Sequence, residues 1–402
     1  MKKQLSAALT SVAILSFIAL AIEASDNHTV NHGANQTITA HSVCQRVTNN
    51  STTNLSVYVP TQTSAEWQSF RDNPPSGVNM SSCVSGWKTD TGEEDWLITG
   101  SYTHDSSGWT TAAGTIPQAV RQAQTAVIGD YVYLFGGNIG SSIVSGIYRA
   151  PLSNPTSWSN TGASLPGPLA HYQLAVIGDY VYLFGGYSTV GVNYRNVIYR
   201  APLSNPTSWS NTGAVLPVTL GQSHLAVVGN YVYLFGGWTG SGGSTNAIYR
   251  APISNPTTWS STGKTLPSAV NGGQLAVIGS YIYLFGGFNG ATYLNTIYRA
   301  STADPTTWTN TGATIPAGRN ATSLAVIGDK VYLFGGNDGS YRRTIYSAPT
   351  SNPTSWSNTG SLLPVNNGSA AATIIGNYVY IFGGYNGSSV VNTIYRAVIT
   401  PI

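Results

Sequence analysis

Proton transfer, metal binding and nucleophilic attack each need particular side chains, and beyond residue 96 this 402-residue chain supplies few of them. It has no glutamate there, and its carboxylates are Asp105, Asp130, Asp179, Asp304, Asp329 and Asp338, no two of them spaced as a working pair. General acid–base catalysis by paired carboxylates is therefore not expected. His171 and His224 have no third ligand near them in sequence and no cysteine beside them, so no metal and no cofactor is assigned. The two cysteines, Cys44 and Cys83, lie earlier and lack CxxC spacing; in an oxidising compartment they are expected to pair as a disulfide.

Rings, amides and guanidinium groups are abundant instead, with 25 tyrosines and 10 tryptophans. Between the repeated segments described below stand Arg121, His171, Tyr187, Tyr194, Arg195, His224, Trp238, Phe288, Tyr293, Arg319, Tyr341, Arg342 and Tyr385. Aromatic rings stack on pyranose faces, amides take directional hydrogen bonds, and arginines select carboxylates. The chemistry these residues suit is recognition of a glycan or an extracellular protein. A carbohydrate-active enzyme and a structural surface protein without a specific ligand are the alternatives.

The groups need a scaffold, and the sequence repeats one. A Gly-Gly pair recurs six times, starting at Gly136, Gly185, Gly236, Gly286, Gly335 and Gly383, each after a strand-like run such as YVYLF. A tyrosine follows each pair (Tyr148, Tyr199, Tyr249, Tyr298, Tyr346, Tyr395), and after the first five a tryptophan comes ten residues later (Trp158, Trp209, Trp259, Trp308, Trp356). LAVIGDYVYLFGG reads as two alternating strands joined by a two-residue Gly-Asp turn, IYRAPL as a third strand, Asn-Pro-Thr as the next turn, and the tryptophan as the start of a fourth strand. The repeated Tyr and Trp are expected to pack between units.

Hydrophobic run, double glycine, then spaced Tyr and Trp together resemble the Kelch family over residues 105–402. The resemblance implies an all-β fold: a six-bladed Kelch-type β-propeller of four-stranded antiparallel blades. The sixth unit ends before its tryptophan, while an orphan copy, SGWTTAAGTIP with Trp109, stands ahead of the first unit. Residues 105–117 are therefore expected to supply the outer strand of the last blade and close the ring.

Among Kelch enzymes, galactose oxidase needs a copper site with a Cys-linked tyrosine, and this propeller has no cysteine. The periplasmic sialic acid mutarotase is similar in blade count, but the catalytic acid has no evident counterpart here. Trp-to-glycine spacing is always 27 residues, so length varies only between the second glycine and the tyrosine, the loop from strand two to three. That loop and the one from strand four to the next strand one share a face of the disc. This variable face carries the candidate residues, on a scaffold whose other turns hardly change.

Four segments follow: 1–24 a signal peptide, 25–40 a flexible tether, 41–104 a small β-rich module tied by the disulfide, and 105–402 the propeller. The signal is read from MKKQ and the apolar run over residues 5–22, with cleavage after Ala21 or Ala24; retention as an anchor is the alternative. A secreted, cell-surface or periplasmic protein follows, with the N-terminal module attaching it to an envelope or filament. Residues 26–104 carry three bases and seven acids and residues 105–402 twelve bases and six acids, a bias too weak for nucleic-acid binding.

Overall fold

A computed structural model describes residues 108–189 and 193–399, and the backbone of nine short strands between His28 and Tyr102. These strands form antiparallel pairs and one three-stranded sheet. The signal segment, Cys44, Cys83 and their expected disulfide lie outside the described residues. Residues up to Gly108 form one unit and Trp109–Ile402 another.

The second unit is six four-stranded antiparallel sheets in chain order. Blade one runs Gln124–Ile128, Tyr131–Asn138, Ile143–Pro151 and Ser159–Ser164, from the axis outward. Inner strands of successive blades touch all the way round, the first against the sixth included. In blade six the order is Ala371–Ile375, Tyr378–Phe382, Thr393–Val398, and then Trp109–Thr115. Trp109 opposes Ala397 and Thr111 opposes Tyr395, so the orphan segment closes the ring as the repeat requires.

The inner hairpins turn on a glycine at φ of 56–57°, as at Gly129, followed by a residue of ordinary φ, the geometry of a type II′ turn. Between blades the core is built from facing β-branched and aromatic side chains: Phe135, Ile147, Tyr133 and Ala126 of blade one meet Val181, Leu183, Tyr199 and Ala201 of blade two. Each tryptophan lies edge-on against the phenylalanine of the preceding blade, ring centroids 4.9–5.2 Å apart, and Trp109 on Phe334 completes the six. In four of the blades the tryptophan stands one residue before the outer strand rather than in it. Its indole N–H donates to the proline carbonyl of the Asn-Pro-Thr turn, as Trp158 does to Pro155 at 2.9 Å, and this holds it in the turn.

The double glycines sit where blades meet. The first of each pair has positive φ, and a Cβ there would stand 2.0–2.6 Å from a backbone carbonyl of the next blade, as at Gly185 against Leu220. The second donates its N–H to that carbonyl, for example Gly186 to Leu220 at 2.7 Å and, closing the circle, Gly384 to Val120 at 2.8 Å. A second circle lies nearer the axis. Gln122, His171, Gln222, Gly272, Ala321 and Ser369 all adopt φ of 54–61°. Each donates its N–H to the carbonyl of its predecessor, at 2.7–3.0 Å, and Gln122 donates to Ser369. Two rings of backbone bonds thus lock six blades that share no continuous sheet.

Candidate functional site

Isolated bridges pair Arg121 with Asn138, Ala170 with Tyr187, Gly221 with Trp238, Asn271 with Phe288, Asn320 with Asn337 and Gly368 with Tyr385. In every blade this ties the incoming loop to the loop between strands two and three, so both loop families lie on one face. Inside that face opens a cavity of about 280 Å³ on the propeller axis, lined by the first residues of all six inner strands.

Around its mouth the structure gathers a subset of the candidates. Arg121, half-buried, lies 4.8 Å above the Tyr385 ring, and its Nε is buried with no hydrogen-bond partner. Tyr385 packs edge-on with Tyr341 at 4.8 Å. Burial pushes the Tyr341 hydroxyl pKa up, against the Arg121 charge, while Tyr385 and Tyr293 raise it further. On the other side of Arg121, His171 packs against Tyr187 at 5.4 Å and Tyr187 against Tyr194 at 5.6 Å. Desolvation, with Tyr187 adding to it, pushes Tyr194 up to about 12. Phe288 and Tyr293 pair at 5.2 Å on blade four, and Trp238 is half-buried on blade three.

Other candidates are committed inside the protein. Arg319 is buried, donating to the Gly335 carbonyl at 2.8 Å and the Tyr346 hydroxyl at 3.0 Å with its guanidinium 4.6 Å over the Tyr346 ring, so it braces blade five and has no surface to offer a ligand. Arg342 is exposed, but its Nε donates to both oxygens of Asp338, at 2.9 and 3.0 Å. Tyr187 is buried, its hydroxyl bonded to Asn138 and to Gln122 Oε1, and it holds the rim together. Arg195 is half-buried and donates its backbone N–H to Gly186. Five further arginines, Arg149, Arg200, Arg250, Arg299 and Arg396, stack on tyrosines of their own blades. Each ion pair found among the described residues involves Asp338, with Arg319 or Arg342, so Arg121 stands at the mouth without a counter-charge.

His224 is buried on the cavity wall, Nδ1 3.0 Å from the Phe235 carbonyl and Nε2 without a partner. Desolvation lowers its pKa to about 4, the Phe235 bond opposing. His171, half-buried at the neck, is lowered to about 3 by desolvation first and the Arg121 charge second. Both histidines stay neutral when folded but accept protons near pH 6.5 when unfolded, so stability is full above that pH and drains away as pH falls from 6.5 toward 4. For His224 the expected loss at pH 5 is about 2 kcal/mol. Urea melts at pH 7.5 and 5 check this, and His224→Gln should flatten the fall in part, with His171 keeping its share.

Sequence reasoning missed Gln122 and Gln222 of the neck. The one signal for this ring was Gly272 at the equivalent position of blade four, a glycine marking backbone of positive φ. Among the described residues no three His, Cys, Asp or Glu side chains are grouped to hold a metal ion.

The Kelch motif matches residues 272–299 and 368–396, in blades four and six, each running from the neck residues through the third strand. Comparison with curated proteins finds no match. The matched segments have the same register, glycine pair and tyrosine as the other four blades, and the chain is accordingly a Kelch-repeat β-propeller.

Proposed function

We propose that this propeller is a recognition and adhesion module that binds an acidic glycan at the mouth of its loop face, Arg121 receiving the carboxylate. The carrying observation is Arg121 itself. It is a half-buried guanidinium without an acidic partner, backed by the Tyr385 ring and bordered by Tyr341, with an unpaired Nε. A charge held in that setting gains more from an incoming carboxylate than a solvated one would, and neighbouring rings offer stacking surface for a sugar. A Kelch propeller fits ligand or protein binding in general. The basic leader and apolar run at the N-terminus support export, and the acidic segment over residues 26–104 is then free to serve as the attachment to an envelope or filament.

Calorimetry with sialyllactose and lactose tests this. The acidic sugar is expected to bind at least about tenfold tighter, and Arg121→Met to weaken it by roughly 10- to 100-fold with the fold intact. Equal affinity for the two sugars, or an indifferent Arg121→Met, would sink the reading. Binding of an acidic peptide in place of either sugar would turn the face into a protein-binding one.

A further inference from the structure

Below the mouth, the axial channel changes character in a way the loop face does not require. At its neck, Gln124, Gln173 and Gln274 each donate Nε2 to a carbonyl of the following blade, Tyr172, Ser223 and Thr322, at 2.6–2.8 Å. Each bond uses one of the two N–H groups of its amide, and among the described residues the amide oxygens have no protein partner. In blade five Ser323 makes the same bridge to the Ala370 carbonyl at 2.9 Å, and in blades three and six, with His224 and Ala371 at the position, it is missing. His224 turns back to the Phe235 carbonyl, which can only accept, so Nδ1 carries the proton and the buried Nε2 is a bare acceptor on the cavity wall. The neck thus offers the three amide oxygens and the bare His224 Nε2 as acceptors to a donor.

One residue further along the inner strands the lining becomes more apolar, with Leu225, Leu275, Leu324 and Ala372 on the cavity wall beside Thr125. Strand alternation puts Val127, Val176, Val227, Val277, Val326 and Ile374 on the same side two residues deeper. All six are β-branched aliphatic residues and all six stay 39–47% exposed, although they stand on the innermost strands of the fold. A scaffold needs apolar residues where it packs, as at Ala126 and Ile128 beside them, and gains nothing from wetting six aliphatic side chains at once.

We propose that the channel binds a straight-chain amphiphile, its hydroxyl donating to His224 Nε2 and the amide oxygens of the neck and its alkyl chain running down the valine-lined bore. The site lies beneath the rim and does not rest on the reading of Arg121. From the neck to the last inner-strand residue the bore is about 14 Å long, four steps of strand.

Calorimetry on the whole protein with 1-butanol, 1-hexanol and 1-octanol tests the proposal. Affinity is expected to rise about fourfold per added methylene, at one alcohol per chain. Octyl methyl ether, which cannot donate, should bind roughly tenfold more weakly than 1-octanol, because Nε2 is left unpaired. Val227→Thr with Val277→Thr keeps shape and strand preference at half-exposed positions. It should cut 1-octanol affinity about tenfold while leaving 1-butanol, too short to reach the ring, unchanged. A flat chain-length series, or a double variant that binds octanol like the parent, overturns the bore as the site. An ether that binds like the alcohol overturns the role of His224.

Discussion

Deleting Trp109–Thr115 from the full chain is expected to lower the melting temperature of the propeller by about 10 °C or more and to produce dimers or aggregates. Trp109 is buried against Phe334 and Tyr395, and Ile116, which follows the strand, is fully buried in the seam between blades six and one. Removing a buried tryptophan alone costs about 3–5 kcal/mol, and here the hydrogen bonds to Thr393–Val398 go with it. That strand would then present an open edge able to pair with another copy. Differential scanning calorimetry and size-exclusion chromatography read both effects. A deletion that melts with the parent and stays monomeric would mean that the closing strand contributes nothing.

The second large effect is expected at the blade seams. Gly185→Ala places a Cβ 2.1 Å from the Leu220 carbonyl, backbone that has no rotamer to escape into, and does so at a φ of +67°. Leu220 must move away, and the Gly186 N–H to Leu220 bond of 2.7 Å is lost with it. Together a strained left-handed residue and a broken seam should cost about 3–5 kcal/mol. Gly178→Ala provides the control, since φ is +57° there but nothing lies within 4 Å. It should cost only about 1 kcal/mol. Chemical denaturation of both variants checks the difference. If the two lose equal stability, conformational strain alone explains the glycines and close approach does not.

The glycine pair, the spaced tyrosine and the tryptophan were legible because each answers a local demand that recurs in every blade. Even the closure was legible, since a strand missing at one end and spare at the other leaves one way to complete six blades. Site residues were less legible, and the arginines show why. Arg121, Arg319 and Arg342 are alike as loop arginines. Arg342 is neutralised by Asp338 four residues earlier, a pairing within reach of sequence spacing. Arg319 is consumed by Gly335 and Tyr346, across the breadth of its blade. Arg121 is set over a tyrosine from the far end of the chain.

Sequence alone determined the strands, the turns, the number of blades and the face on which length varies, because hydrophobic alternation and backbone sterics act over a few residues. Tertiary structure decided which candidate side chains remain available and what the axis is made of. The neck ring and the six exposed aliphatic residues of the inner strands each draw one residue from every blade. Their positions recur with the repeat, but the recurrence reads equally as packing until the circle closes and brings the six inner strands around a common axis.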